Sequence, residues 1–204
     1  MQLALPPQTD QRSAGILASV RAAFVAKGFD GASMQDLARA AGMSVGNFYR
    51  YFPSKAAIIT ALIAQDLSEM QRDFQAILDT PHPMAMLRQM LGPRLNAHVQ
   101  DQDGNLWTEI EAASRRSPDI CAAAQAMEAT VCDCLVSVFA AETGLPQNEA
   151  AQRFSTSAAF ILVLFRSAVC LNSAGNVDQS ELRSMIIRKI DQTLDDVANS
   201  AQKA

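Results

Sequence analysis

The apolar residues of this chain recur at steps of three and four, the period of an α-helix, and nowhere alternate with the period of two that marks a strand. Ile16, Leu17, Val20, Ala23 and Phe24 form the first such stripe. It predicts a helix from Thr9 or Asp10 to Lys27, with Gly28 just past the end as a C′ residue. A short helix, Met34 to Ala41, follows Ser33, with Asp36 three residues on in the pattern of a capping box. Gly42-Met43-Ser44 turns the chain into a third helix, Val45 to about Phe52, with Ser44 as its N-cap. Pro53-Ser54-Lys55 opens a fourth helix that reaches about Asp79, with Ile59, Leu62, Ile63, Leu67, Met70, Phe74 and Ile77 along one face. Helices are then expected at about 83–100 (Pro93 breaking or kinking it), 105–116, 118–142, 147–172 and 179–200, the last capped by Asp178 or Ser180. The fold class is therefore all-α, with nine helices.

Composition narrows the function classes. A length of 204 residues suits one large domain or two small ones, and 49% hydrophobic residues suffice for a core, so wholesale disorder is excluded. The longest apolar run, Ala158 to Phe165, stops at Arg166 and falls short of the ~18–20 residues of a membrane span. Met1 to Asp10 has neither the basic nor the apolar region of a secretory signal. A cytoplasmic protein without a membrane partner is expected. Cys132 and Cys134 point to different faces of one helix, and Cys121 stands about 16 Å from Cys132 along it. The four cysteines read as small hydrophobes in a reducing compartment, with no metal or cofactor expected. There are only two histidines, His82 and His98, and no Ser/His/Asp, HExxH or phosphate-loop pattern, so the chain does not read as an enzyme.

The net charge of −4 argues at first against a nucleic-acid partner. The sum hides a split. Residues 1–55 carry Arg12, Arg21, Lys27, Arg39, Arg50 and Lys55 against Asp10, Asp30 and Asp36, a net +3, and the other eleven basic and eighteen acidic residues give −7. The basic part contains residues 33–52, two short helices around Gly42, with small Ala38 where they cross and Leu37, Met43, Phe48 and Phe52 between them. This is the grammar of a helix-turn-helix, whose second helix enters the major groove. Gly46 and Asn47 would let that helix approach the bases; Asn47 can pair with a base edge, and Arg50 suits guanine or phosphate. Tyr49, Tyr51 and Lys55 offer phosphate contacts, whereas Phe48 and Phe52 read as core.

Ile16 to Phe24, Gly28-Phe29, Ser33 to Gly42, Met43-Ser-Val-Gly-Asn-Phe-Tyr-Arg-Tyr-Phe52 and Ser54-Lys55 together resemble the amino-terminal DNA-binding domain of the TetR family of transcriptional regulators. The resemblance covers about residues 12–60. It implies a helix-turn-helix domain at 1–55 and a helical ligand-binding and dimerisation domain at 56–204. It implies a homodimer that binds a palindromic double-stranded DNA operator, usually as a repressor, and answers to a small-molecule effector. It assigns phosphate contacts to Ser33, Ser44, Tyr49 and Lys55, and approach to bases or adjacent backbone to Val45, Gly46, Asn47, Arg50 and Tyr51. Val45 stands where family members often carry Lys or a small polar residue, and it can touch a thymine methyl without hydrogen-bonding. Leu106-Trp107-Thr108-Glu109-Ile110 and Ala112 to Arg116 resemble helices six and seven of one common effector domain.

The family implies a ligand pocket, with Met86, Met90, Trp107, Ile110, Met127, Val131 and Phe160 as lining candidates; methionine-rich linings adapt to varied apolar ligands. His98, Glu109, Glu111 and Arg166 are the polar candidates to orient a ligand. Phe165 and Val169 on the eighth helix, with Leu182, Ile186, Ile190 and Leu194 on the ninth, form apolar stripes. The residues alone leave these open between burial within one chain and a four-helix bundle made by two; the resemblance selects the dimer interface.

Overall fold

The computed structural model describes residues 9–100, 103–171 and 177–200, with side chains left aside at 9–13, 99–100 and 103–105. Among the described residues there are nine helices and no strand: α1 (Thr9–Lys27), α2 (Met34–Ala40), α3 (Val45–Tyr51), α4 (Lys55–Leu78), α5 (Pro83–Gln100), α6 (Asp103–Ser114), α7 (Pro118–Thr143), α8 (Gln147–Val169) and α9 (Gln179–Ser200). The expected helices fall within a few residues of these bounds. The residues that end them act through their backbone chemistry. Gly28, Gly42 and Gly144 follow α1, α2 and α7 with φ of 70°, 65° and 68°, a region side chains disfavour. Ser54 Oγ accepts the Ala57 N–H at 3.1 Å at the head of α4. Asp178, rather than Ser180, caps α9: its carboxylate accepts the N–H groups of Ser180 and Glu181 at 2.8 and 3.1 Å. These bonds hold its carboxyl below the ordinary carboxylate value. α5 runs through Pro93 without ending, at the loss of one helical hydrogen bond.

The chain divides into two compact units. The first comprises the residues up to Asp66 together with Asn105–Ala124, the second Leu67–Gly104 and Gln125–Ala204, so α4 and α7 contribute to both. In the first unit Val20, Phe24, Leu37, Ala38, Phe48, Ile58 and Ile59 are almost wholly buried, and α1 packs on α2 and α2 on α3. Arg21 pairs with Asp66 and ties α1 to α4.

In the second unit α8 packs along α9, and α5 meets both. Val138, Phe139, Ala158 and Leu194 have no exposed surface, and the Phe139 and Phe154 rings meet edge to face at 6.1 Å. Arg88 reaches from α5 to Asp191 at 3.5 Å and Asp195 at 2.6 Å on α9, and Arg94 pairs with Asp73.

α7, with 26 residues, is long and apolar enough by length and composition alone to cross a membrane. The core helix of a water-soluble protein passes the same test. No run in α7 is as long as Ala158–Phe165; its alanines, cysteines and valines, with few charges between them, raise its mean hydropathy instead. The four cysteines are free and half-buried; burial, with Asp133 and Glu128, pushes the Cys132 thiol up, and burial with Asp133 does the same for Cys134.

Replacing Phe139 by Ala leaves a void where two rings meet. It is expected to lower the unfolding free energy by about 3–5 kcal/mol, read from chemical denaturation.

Candidate nucleic-acid interface

A seven-residue helix cannot stand alone in water, so α2 and α3 depend on their ends and on burial. At the head of α2 the capping box is complete. Ser33 Oγ accepts the Asp36 N–H at 3.1 Å, and the Asp36 carboxylate accepts the Ser33 N–H at 3.0 Å and its hydroxyl at 2.6 Å. Lys27 Nζ, at 2.7 Å, joins the same carboxylate. The Lys27 ammonium first, and the Ser33 hydroxyl and N–H next, hold the Asp36 carboxyl far below the usual carboxylate range.

The tail of α2 is a Schellman motif. Gly42 N–H donates to Arg39 C=O at 3.0 Å and Met43 N–H to Ala38 C=O at 2.9 Å, with Gly42 in the left-handed region. Two carbonyls that would point unpaired toward α3 are thereby satisfied, and the chain reverses within three residues. Ser44 then caps α3 through the Asn47 N–H at 3.3 Å.

α3 is two-faced. Phe48 is fully buried, with its ring 5.5 Å from that of Phe52. The opposite face bears Val45 and Tyr49, 38% and 48% exposed, with Gly46 and Arg50 exposed beside them. Asn47 and Tyr51 flank this face and are half-buried. A Cβ on Gly46 would meet nothing within 4 Å. One face of α3 thus presents a methyl pair, a bare backbone, a phenol and a guanidinium. This set can meet a thymine methyl, a closely approaching phosphate-sugar edge, a phosphate oxygen and a guanine edge.

Two residues expected at phosphates are engaged inside the chain. The Ser33 hydroxyl both accepts and donates within the capping box. Lys55 Nζ donates to Phe29 C=O at 2.7 Å and Asp30 C=O at 3.3 Å and lies 4.8 Å from the Phe29 ring centre. Glu109, a candidate to orient a ligand, instead accepts the Phe29 N–H at 2.9 Å. No local pattern in the sequence signals that bond, because its partners are 80 residues apart.

The expected pocket residues do not form one group. Trp107 and Ile110 belong to the first unit, and Met86, Met90, Met127, Val131 and Phe160 to the second. Phe160 is 41% exposed on α8, a surface position rather than a pocket wall. An open cleft of about 270 Å³ lies between α7 and α8, lined by Ala129, Cys132, Ala159, Leu162 and Val163 among others, with the Glu128–Arg166 pair beside it. It takes none of the seven expected residues.

The dimer candidates also divide. Ile190 and Leu194 are buried within the chain's own core, 2% and 0% exposed, because α9 packs this face against its own unit. Phe165, Val169, Leu182 and Ile186 are half-buried. Sequence periodicity missed the residues that stand out: Val163 and Met185, 58% and 53% exposed. Among the described residues no group of three or more His, Cys, Asp or Glu could hold a metal ion.

Comparison with known proteins agrees with the amino-terminal geometry. Residues 16–62 match the profile of the bacterial regulatory proteins of the tetR family. The HTH-type transcriptional regulator EthR of Mycolicibacterium smegmatis is 46% identical over 57 residues, 28% of this chain and 26% of that protein. EthR of Mycobacterium tuberculosis is 32% identical over 75 residues, 37% of this chain and 35% of that protein. The matches thus span well under half of these relatives. Over the whole fold, Salmonella enterica GusR superposes with a TM-score of 0.68 at 21% identity, covering 98% of this chain and 100% of that one. AibR, in a crystal structure with isovaleryl coenzyme A and operator DNA, gives 0.61 at 15% identity, covering 88% and 97%.

The capping box should report on pH with a defined sign. The Asp36 carboxyl is depressed, so it stabilises the folded chain above its ordinary value of 3.8 and that contribution is lost as pH falls below it. Asp36→Asn is expected to be less stable than the parent at pH 7, with the difference shrinking below pH 3.8 in denaturation series. Ser33→Ala should cost about 1 kcal/mol.

The capped, glycine-turned pair α2–α3 thus lies within residues 16–62, the part of the chain that matches the tetR-family profile, and the helical architecture of the described residues is that of the solved structures above.

Proposed function

We propose that this protein is a transcriptional regulator that binds a palindromic DNA operator as a homodimer, represses from it, and changes its affinity when a small-molecule effector binds. The exposed Val45-Gly46-Tyr49-Arg50 face of α3, on a fully capped turn, carries the reading. Such a face fits a major groove and has no use in the chain's own core. In it Asn47 and Arg50 read base edges, Val45 meets a thymine methyl, Gly46 admits the backbone, and Tyr49, Tyr51 and Ser44 hold phosphates. A cytoplasmic location follows from the DNA partner.

The homodimer forms on the outward face of α8 and α9. Phe160, Val163 and Met185 form its exposed apolar centre, with Phe165, Val169, Leu182 and Ile186 around it. The effector occupies the second unit, where Met86, Met90, Met127 and Val131 supply an adaptable apolar lining. AibR, with an acyl coenzyme A and operator DNA in one crystal, supports the pairing of the two functions on this fold.

Selection of bound duplexes from a random pool by the full chain tests the reading. It should return an inverted repeat, with half-sites about 34–36 Å apart or a multiple of that distance. Asn47→Ala should lose about 1–3 kcal/mol, mostly at one base position, and Tyr49→Phe should weaken binding across sequences. Unchanged affinity in both variants would refute the placement of α3. Val163→Asp should sediment as a monomer with its helical circular dichroism intact; a dimer at the parent's concentration would remove α8 from the interface.

A further inference from the structure

The turn between α1 and α2 is gripped from two sides. Its backbone disfavours side chains at both ends. Gly28 has φ of 70°, a conformation L side chains rarely adopt, and a Cβ there would touch Glu109 Oε1 at 3.6 Å. A Cβ on Gly31 would lie 2.3 Å from the Lys27 carbonyl oxygen. Between them sits Phe29, with both of its backbone groups held by charged side chains. Its N–H donates to Glu109 of α6 at 2.9 Å, and its C=O accepts from Lys55 of α4 at 2.7 Å. The same ammonium donates to Asp30 C=O at 3.3 Å, and the Asp30 carboxylate pairs with Arg116 at 3.2 Å. The Phe29 ring lies 5.8 Å from that of buried Phe24, which joins the turn to the core.

Charge-assisted bonds of this kind are about twice as strong as neutral ones, and an ammonium has three donors. Two of the three in Lys55 already face carbonyls. Four residues after Phe29 stands Ser33, the cap of α2, and the turn behind α2 sets α3. The orientation of the reading helix therefore depends on where this turn is held.

We propose that Lys55 and Glu109 are positioning residues that clamp the Phe29 peptide groups, and that they set DNA affinity through the placement of α2 and α3 and not through a phosphate contact. The inference rests on the DNA-binding reading of α3. It assigns to an anion and a cation the same effect on binding to a polyanion, which a direct electrostatic role cannot do. A lysine that neutralises a phosphate contributes about 0.9 to the slope of log affinity against log salt, and its loss lowers that slope. A clamp changes affinity at constant slope. Removing the negative charge of Glu109 would, by electrostatics alone, strengthen binding.

The test measures affinity of the full chain for its selected duplex across a salt series. Lys55→Met and Glu109→Ala should each weaken binding about tenfold, matching the net worth of a hydrogen bond to a charged group, with the salt slope unchanged. The double variant should lose less than the product of the two, because either loss frees the same turn. Glu109→Gln, which keeps an acceptor, should recover most of the affinity. A lower slope in Lys55→Met, together with unchanged or tighter binding in Glu109→Ala, would overturn the proposal. Amide exchange of Phe29 in the free chain supplies a readout that needs no DNA. Faster exchange in Lys55→Met and Glu109→Ala upholds the clamp, and unchanged protection refutes it. A parent chain that binds no duplex, while the exchange result holds, defeats the DNA reading and not the clamp.

Discussion

The burial of Phe48 is the contact on which the reading head depends. α3 has seven residues, too few to hold a helix by hydrogen bonds alone, since nucleation costs more than so few propagation steps return. Phe48 supplies the difference: its whole surface is removed from water, with its ring against that of Phe52 and α3 packed on α2. Everything on the opposite face follows from that anchoring. With the helix pinned from behind, the positions of Val45, Tyr49 and Arg50 are set while all three stay exposed. The capping serines and Gly42 then set where the helix begins, so its phase about its own axis is determined as well as its depth.

Charge acts on a longer scale. The basic amino-terminal segment and the acidic remainder give different potentials to the two parts of the chain, so an approaching polyanion is attracted to one and repelled by the other. Several of the amino-terminal cations are nevertheless engaged in holding the first unit together: Arg21 with Asp66, Lys27 with Asp36 and Lys55 with the turn after α1. Arg50 stands on the exposed face of α3. A net +3 counted from sequence therefore overstates the charge that is ready to meet phosphate.

What could be read from the chain and what could not divides by the range of the interaction. Helix bounds were legible to within a few residues because each is set by neighbours three or four positions away: Ser33 with Asp36, Gly42 after α2, Asp178 before α9. The core roles of Phe48 and Phe52, and the exposed face between them, were legible from the same period. Contacts between distant segments were not. Nothing near Glu109 announces that it caps Phe29, and nothing near Lys55 tells a phosphate ligand from a backbone ligand. On α9 the step of four residues marked Ile190 and Leu194 as apolar but not which of two partners would cover them. Periodicity fixes a face, and only packing says against what.

The open space beside Gly46 has a consequence for how such a protein changes over time. A Cβ added there would meet nothing within 4 Å, and Val45, Tyr49 and Arg50 beside it are exposed. Substitutions on this face therefore leave folding nearly untouched, within the few tenths of a kcal/mol typical of surface positions. Helix, caps and buried ring serve as a fixed mount on which this outer face can be varied. A gene duplicate could change the surface that α3 presents through a handful of substitutions, each tolerated by the fold, and the rest of the chain need not follow.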